Sequence, residues 1–164
     1  MTAHRTFGSR ILVVANETVE GDVLHETVRA RAGDCGEVLV VAPALNSRLR
    51  HWTSDEDVAR AAASARVRHW LERLRRAGMH ASGVVGDADP LLAIADALQR
   101  FAADEVVIAT HPERRSHWHA HSVVDRARAR FGLPVVHIVV DRERRVEYLR
   151  APAERDAGRL PSAA

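Results

Sequence analysis

Residues 11–15 read Ile-Leu-Val-Val-Ala, five apolar residues with no polar side chain among them. A strand covered on one face alternates apolar with polar residues, whereas a continuous apolar run indicates a strand buried on both faces. Similar runs recur at 38–42, at 105–109 after its initial glutamate, and at 135–140 with one histidine inside it. Strands of this kind are typical of a parallel sheet that has helices on both sides.

Helical patterns separate these strands along the chain. We predict helices over 22–32, from a cap at 53 or 54 to 77, from 90 to about 98 and over 122–131, with a weaker strand at 82–85. The alternation predicts an α/β fold: a doubly wound five-stranded parallel sheet with helices on both faces. Such sheets bind ligands at the carboxyl ends of the strands, where the strand order reverses.

The longest helix has a clear start and end. Acidic residues fill its first turn at 55–57, and Gly78 ends it. Its predicted apolar face consists of Val58, Ala62, Ala65, Trp70, Leu74 and Ala77. In the next helix Pro90 occupies the first turn and Asp89 is the candidate cap.

Composition removes several kinds of chemistry. The 164 residues suit one domain, and all 24 basic residues are arginine. Without lysine there is no Walker lysine, no Schiff base and no pyridoxal-phosphate anchor. The single Cys35 excludes a disulfide framework and a multi-cysteine metal site, and we expect it to be inert.

The chain divides into a domain over 1–141 and a charged extension over 142–164. The extension is rich in Arg, Glu, Ala and Pro; we expect it to be partly disordered, with a short strand or helix near 146–149. No apolar run reaches transmembrane length, and the first ten residues have no signal-peptide core. We therefore expect a cytoplasmic protein that does not bind membranes.

The segment after the fourth strand, 111–122, is the candidate anion site. It ends at a predicted helix N-terminus, where free amides and the helix dipole favour negative charge. Arg114, Arg115 and the hydroxyl of Ser122 can add contacts to a phosphate or another small anion. In the alternative interpretation Ser122 only caps the helix and both arginines are solvated.

Two metal hypotheses compete with plainer interpretations. His117, His119 and His121 alternate in sequence, so in an extended segment they face one side and can ligate zinc, with His111 as a further ligand. Solvated histidines are the simpler alternative, and we assign no metal site. Asp87 and Asp89 form a carboxylate pair suited to Mg²⁺, or else cap a helix and turn the chain.

A basic cluster on the long helix is the feature closest to a nucleic-acid site. Glu72 interrupts it, and only 4% of the residues are aromatic, so few side chains can stack on bases. We do not expect nucleic-acid binding. The cluster consists of Arg66, Arg68, Arg73, Arg75 and Arg76.

The order of several short motifs resembles the universal stress protein family over about residues 9–141. The stretches that carry the resemblance are Val84-Val85-Gly86-Asp87-Ala88-Asp89-Pro90-Leu91-Leu92-Ala93-Ile94, Ala103-Asp104-Glu105-Val106-Val107-Ile108-Ala109-Thr110-His111 and Gly132-Leu133-Pro134-Val135. The resemblance implies a sheet in strand order 3-2-1-4-5 and a dimer. The resemblance also implies that the interface lies at the edge of the fifth strand, where an unpaired edge needs a cover.

Members of that family that bind ATP carry the pattern Gly-x2-Gly-x9-Gly-Ser/Thr after the fourth strand. Here Ala109 and Pro112 replace the first two glycines, the loop is one residue shorter, and His121-Ser122 replaces Gly-Ser. Pro112 has no N–H for a phosphate, and His121 is bulky where glycine admits one. Asn16 stands where the family has an acidic residue near the ribose.

Two functions follow from this resemblance. The first is a non-catalytic binding protein of the stress-response type with no tightly bound cofactor. The alternative is a nucleotide-binding module that takes ATP or AMP with Mg²⁺ and hydrolyses ATP at most weakly. Its candidate cofactor-binding residues are Asn16, Ala109, His111, Arg114, Arg115 and Ser122.

Overall fold

The computed structural model describes residues 8–15, 22–44, 55–110, 120–140 and 146–149. Strands and helices alternate along these residues up to the last strand, which follows another strand. The elements are β1 (Arg10–Ala15), α1 (Asp22–Ala32), β2 (Glu37–Pro43), α2 (Asp55–Arg76), β3 (His80–Gly86), α3 (Pro90–Arg100), β4 (Glu105–Thr110), α4 (Ala120–Phe131), β5 (Val135–Val140) and β6 (Val146–Leu149).

One sheet contains all six strands in the order β3-β2-β1-β4-β5-β6. The first five are parallel, which confirms the predicted strand order 3-2-1-4-5. β1 lies in the middle, between β2 and β4, and its residues 11–15 are almost completely buried. The continuous apolar runs therefore form the interior strands, as their composition predicts.

Each face of the sheet has its own layer of helices. Alternate residues of β1 point to opposite faces, so Ile11 and Val13 pack with α1 and α2, while Leu12 and Val14 pack with α3 and α4. This arrangement confirms the predicted doubly wound architecture, and the helical segment at 22–32 forms α1 over the predicted range.

Local signals at the helix ends are also confirmed. Asp89 Oδ1 accepts a hydrogen bond from Leu91 N at 2.8 Å, and Pro90 opens α3. Asp87 Oδ1 accepts from Asp89 N at 2.8 Å, so this carboxylate turns the chain before the cap. Gly78 follows α2 with φ +79°, a left-handed conformation that glycine adopts without strain.

Trp70 and Leu74 are buried as predicted, whereas the other residues of the predicted apolar face of α2 are exposed. Val58 is 65% exposed, and the buried residues are Ala59, Ala63, Val67, Trp70 and Leu74. Alanine occurs on every side of this helix, so the pattern of apolar residues does not distinguish the neighbouring faces. The two largest buried residues, Trp70 and Leu74, determine which face turns to the sheet, because they bury the most apolar area.

The expectation that β5 has an open edge is also wrong. β6 pairs with β5 in antiparallel orientation, joining His137 to Leu149 and Val140 to Val146. Only five residues separate the two strands in sequence, so the chain entropy lost in closing this hairpin is small. Residues 146–149 of the C-terminal extension therefore belong to the sheet. None of the helices among the described residues is long and apolar enough to span a membrane.

Val67→Ala and Val58→Ala make the same chemical change on two faces of α2. We expect Val67→Ala to lower the free energy of unfolding by about 1–3 kcal/mol, because it leaves a cavity in the core. Val58→Ala removes an exposed side chain, so its effect should stay within about 0.5 kcal/mol. Urea denaturation of both variants measures the difference, and equal losses would contradict the observed helix face.

Candidate functional site

The strand order reverses at the carboxyl ends of β1 and β4, in the middle of the sheet. The chain passes from β1 through α1 to β2 on one side, whereas β4 lies on the other side of β1. The two strands pair in register up to Ala15 and Ala109, their adjacent ends. In a doubly wound sheet, a ligand binds in the crevice at this position.

Small buried side chains form the end of this crevice. Ala15 and Ala109 are both fully buried and belong to the core that packs against α1 and α2. Ala109, a predicted site residue, thus contributes its methyl group to packing. The described ends of β1 and β4, residues 13–15 and 108–110, carry no titratable side chain.

A buried polar pair lies beside the crevice. Thr110 Oγ1 and His137 Nε2 are 2.8 Å apart, and both residues are less than 3% exposed. His137 pairs in register with Ile108, and Thr110 lies two residues further along the same face of β4. This pair is not among the predicted site residues, although a lone histidine in an apolar strand is a signal of it in the sequence.

This hydrogen bond fixes the last residue of β4 to β5. A buried hydroxyl or imidazole without a partner is costly, and here each satisfies the other. His137 is 2% exposed, so its ring contributes to the core of the sheet. The pair therefore orients the point from which the chain leaves the sheet towards α4.

The N-terminus of α4 follows the crevice in the chain. α4 begins at Ala120, and Ser122 lies exposed in its first turn. The first amides of a helix have no partner within it, so this end can bind an anion. The other candidates, Asn16, His111, Arg114 and Arg115, lie outside the described residues.

The histidine hypothesis stays a prediction for the same reason. His117 and His119 lie outside the described residues, and His121 belongs to α4, where its backbone alone is described. Within the described part of the chain, no three His, Cys, Asp or Glu side chains lie together as metal ligands would. Cys35 is exposed, in the turn between α1 and β2.

Several arginines of the predicted basic cluster make contacts within the protein. Arg66 Nη2 donates to Pro43 O at 2.7 Å and so ties α2 to the carboxyl end of β2. Arg75 donates to Ala81 O on β3 at 3.0 Å. Arg76 forms an ion pair with Glu72 one turn earlier in α2. These guanidinium groups hold α2 in place against the sheet and along its own surface.

A second concavity lies between α3 and the face of β2 and β3. It has a volume of about 410 Å³ and is lined by apolar and by charged or polar side chains. Its charged side chains come from α2, from α3 and from the turn after β3. The lining includes Leu39, Val41, Val84, Ala93, Ala97 and Phe101, with Arg60, Asp87, Asp96 and Arg100 as the charged residues.

The fold is shared with known proteins, although no family model and no curated protein matches the sequence. A universal stress protein from Archaeoglobus fulgidus is similar with a TM-score of 0.53 and 19% identity, over 79% of this chain and 92% of that one. A universal stress protein family protein from Arabidopsis thaliana, solved with AMP bound, has a TM-score of 0.48 and 17% identity, over 82% and 94%. The chain thus has the universal stress protein fold, and the resemblance seen in its motifs is confirmed at that level.

Thr110→Val tests the buried pair. The substitution replaces the hydroxyl by a methyl group of similar size and removes the partner of His137 Nε2. We expect the free energy of unfolding to fall by about 1–3 kcal/mol, because a buried polar atom loses its hydrogen bond. Urea denaturation measures this, with Thr110→Ser as the control that keeps the hydroxyl. A larger loss in the serine variant would show that the methyl group matters more than the hydrogen bond.

Proposed function

We propose that this chain, which has the universal stress protein fold, is a non-catalytic cytoplasmic binding protein of the stress-response type. One observation carries the proposal: the end of β4 at the crevice is built for packing. Ala109 is fully buried in the core, and Thr110 directs its hydroxyl to His137. Neither side chain is available to a ligand, so this strand end supplies no catalytic group.

The sequence of the following loop supports the same proposal. Tight phosphate binding at a helix N-terminus uses several backbone amides that a glycine-rich loop brings close to the ligand. Pro112 has no N–H, and Ala109 and His121 carry side chains where the ATP-binding pattern has glycines. We infer that the chain holds no cofactor tightly.

The runner-up is a nucleotide-binding module at the same crevice. The N-terminus of α4 favours it, since this helix starts directly after the loop and presents Ser122 to solvent. Asn16 would bind a hydroxyl of the ribose, and Arg114 and Arg115 would clamp the phosphates of ATP or AMP with Mg²⁺. Weak ATP hydrolysis belongs to this alternative.

Calorimetric titration of the full chain with ATP and with AMP, each with and without Mg²⁺, distinguishes the two. We expect no saturable binding in the micromolar range, because Pro112 has no N–H and His121 carries a bulky side chain where the ATP-binding pattern has glycine. Micromolar binding of ATP that disappears in the Arg114→Ala, Arg115→Ala variant would establish the nucleotide-binding module instead.

The matched control is the Arg126→Ala, Arg130→Ala variant. It removes the same number of charges from exposed positions on α4 and keeps Arg114 and Arg115. If both double variants weaken ATP binding equally, the affinity reflects overall charge, and no site for the nucleotide follows from it.

A further inference from the structure

The outer edge of β3 is the open end of the sheet. β3 is the first strand in the sheet order, and the opposite end is closed by the antiparallel β6. No strand among the described residues pairs with the outer side of β3, and Ser82 and Gly83 in its middle are exposed. An edge of seven residues with unpaired backbone groups is a template for another strand.

The hydrogen bonds identify which residues of β3 direct their backbone N–H and C=O groups away from β2. Gly86 O accepts from Ala44 N at 3.2 Å on the β2 side, so Gly86 faces inwards. The backbone groups of successive residues in a strand point to alternate sides. The N–H and C=O groups of Ala81, Gly83 and Val85 therefore point to the outer edge. Arg75 confirms this, since its guanidinium reaches the carbonyl of Ala81.

We infer that β3 is the interface of a homodimer, in which the β3 strands of two copies pair in antiparallel orientation. The two-fold axis passes beside Val84, so Gly83 of each copy pairs with Val85 of the partner subunit. These residues exchange four backbone hydrogen bonds. Ala81 then lies opposite Asp87 of the partner subunit.

Charge complementarity singles out a second copy of this chain as the occupant. Arg75, from the end of α2, lies beside the start of β3, and the turn after β3 is acidic, with Asp87 and Asp89. Antiparallel pairing about a two-fold axis places the basic end of each strand beside the acidic end of the other. Arg75, held at Ala81 O, thereby faces the carboxylate of Asp87 of the partner subunit twice in the assembly.

The concavity between α3 and the face of β2 and β3 fits the same arrangement. Val84 lines it together with Leu39, Val41 and Phe101. In the pairing that we infer, Val84 lies directly opposite Val84 of the partner subunit, at the close spacing of a non-hydrogen-bonded pair. The two valines close the open sides of both concavities, so the interface buries an apolar centre flanked by ion pairs.

This inference goes beyond the proposed function and does not rest on it, because the pairing is argued from the edge of β3 and the charges beside it. The molar mass of the full chain, from sedimentation velocity over a range of concentrations, gives the dimer dissociation constant. Asp87→Arg places like charges opposite each other at both ends and should raise that constant about tenfold or more. Asp87→Asn keeps an acceptor for the turn and should raise it less.

Charge exchange is the decisive comparison. Arg75→Asp alone should weaken the dimer as Asp87→Arg does, and the double variant should recover most of the affinity because the opposite charges face each other again. Glu26→Arg, the same change of charge on the exposed side of α1, should leave the constant unchanged. Failure of the double variant to recover would overturn the register that we infer.

Hydrogen exchange of backbone amides provides a second readout. The amides of Gly83 and Val85 should become protected as the protein concentration rises, since only a second copy pairs with them. A chain that stays monomeric, protection that is independent of concentration, or a dimer in which both amides exchange freely would each overturn the inference. None of these results depends on whether the chain binds a nucleotide.

Discussion

The burial of β1 on both faces is the constraint on which the rest of the structure depends. Five apolar side chains in succession cannot face water, so a layer of helices must lie on each side of the sheet. Parallel neighbours supply these layers, because each crossover between parallel strands carries a helix. The same connections bring the carboxyl ends of β1 and β4 together, so the topology alone determines where the crevice lies.

The demands of packing extend to the end of the crevice itself. Ala109 completes the core on one face, while on the other Thr110 and His137 satisfy each other's hydrogen bonds. The absence of lysine also limits the chemistry that is possible at the crevice. Any anion must be bound by arginine, amides and hydroxyls, and arginine does not change its charge near neutral pH. Both features support the proposal of a binding protein without catalysis.

Much of the fold follows from short-range signals in the sequence. Apolar runs mark the strands, and the cap at Asp89 is readable because its carboxylate acts on an amide two residues away. Two features depend on tertiary packing and do not follow from these short-range signals. The sequence does not distinguish the faces of the alanine-rich helix α2, so the prediction that Val58 is buried is wrong. It also does not show that Val146–Leu149 returns to cover β5.

The candidate site divides in the same way. The positions of the crevice and of Ser122 follow from the topology. The Thr110–His137 pair and the concavity between α3 and the face of β2 and β3 consist of side chains that only the folded sheet brings together. The two edges extend this contrast. One edge is closed within the chain by β6, whereas at the β3 edge no strand among the described residues is paired and Arg75 donates to the carbonyl of Ala81. The partner that we infer brings a carboxylate beside this guanidinium.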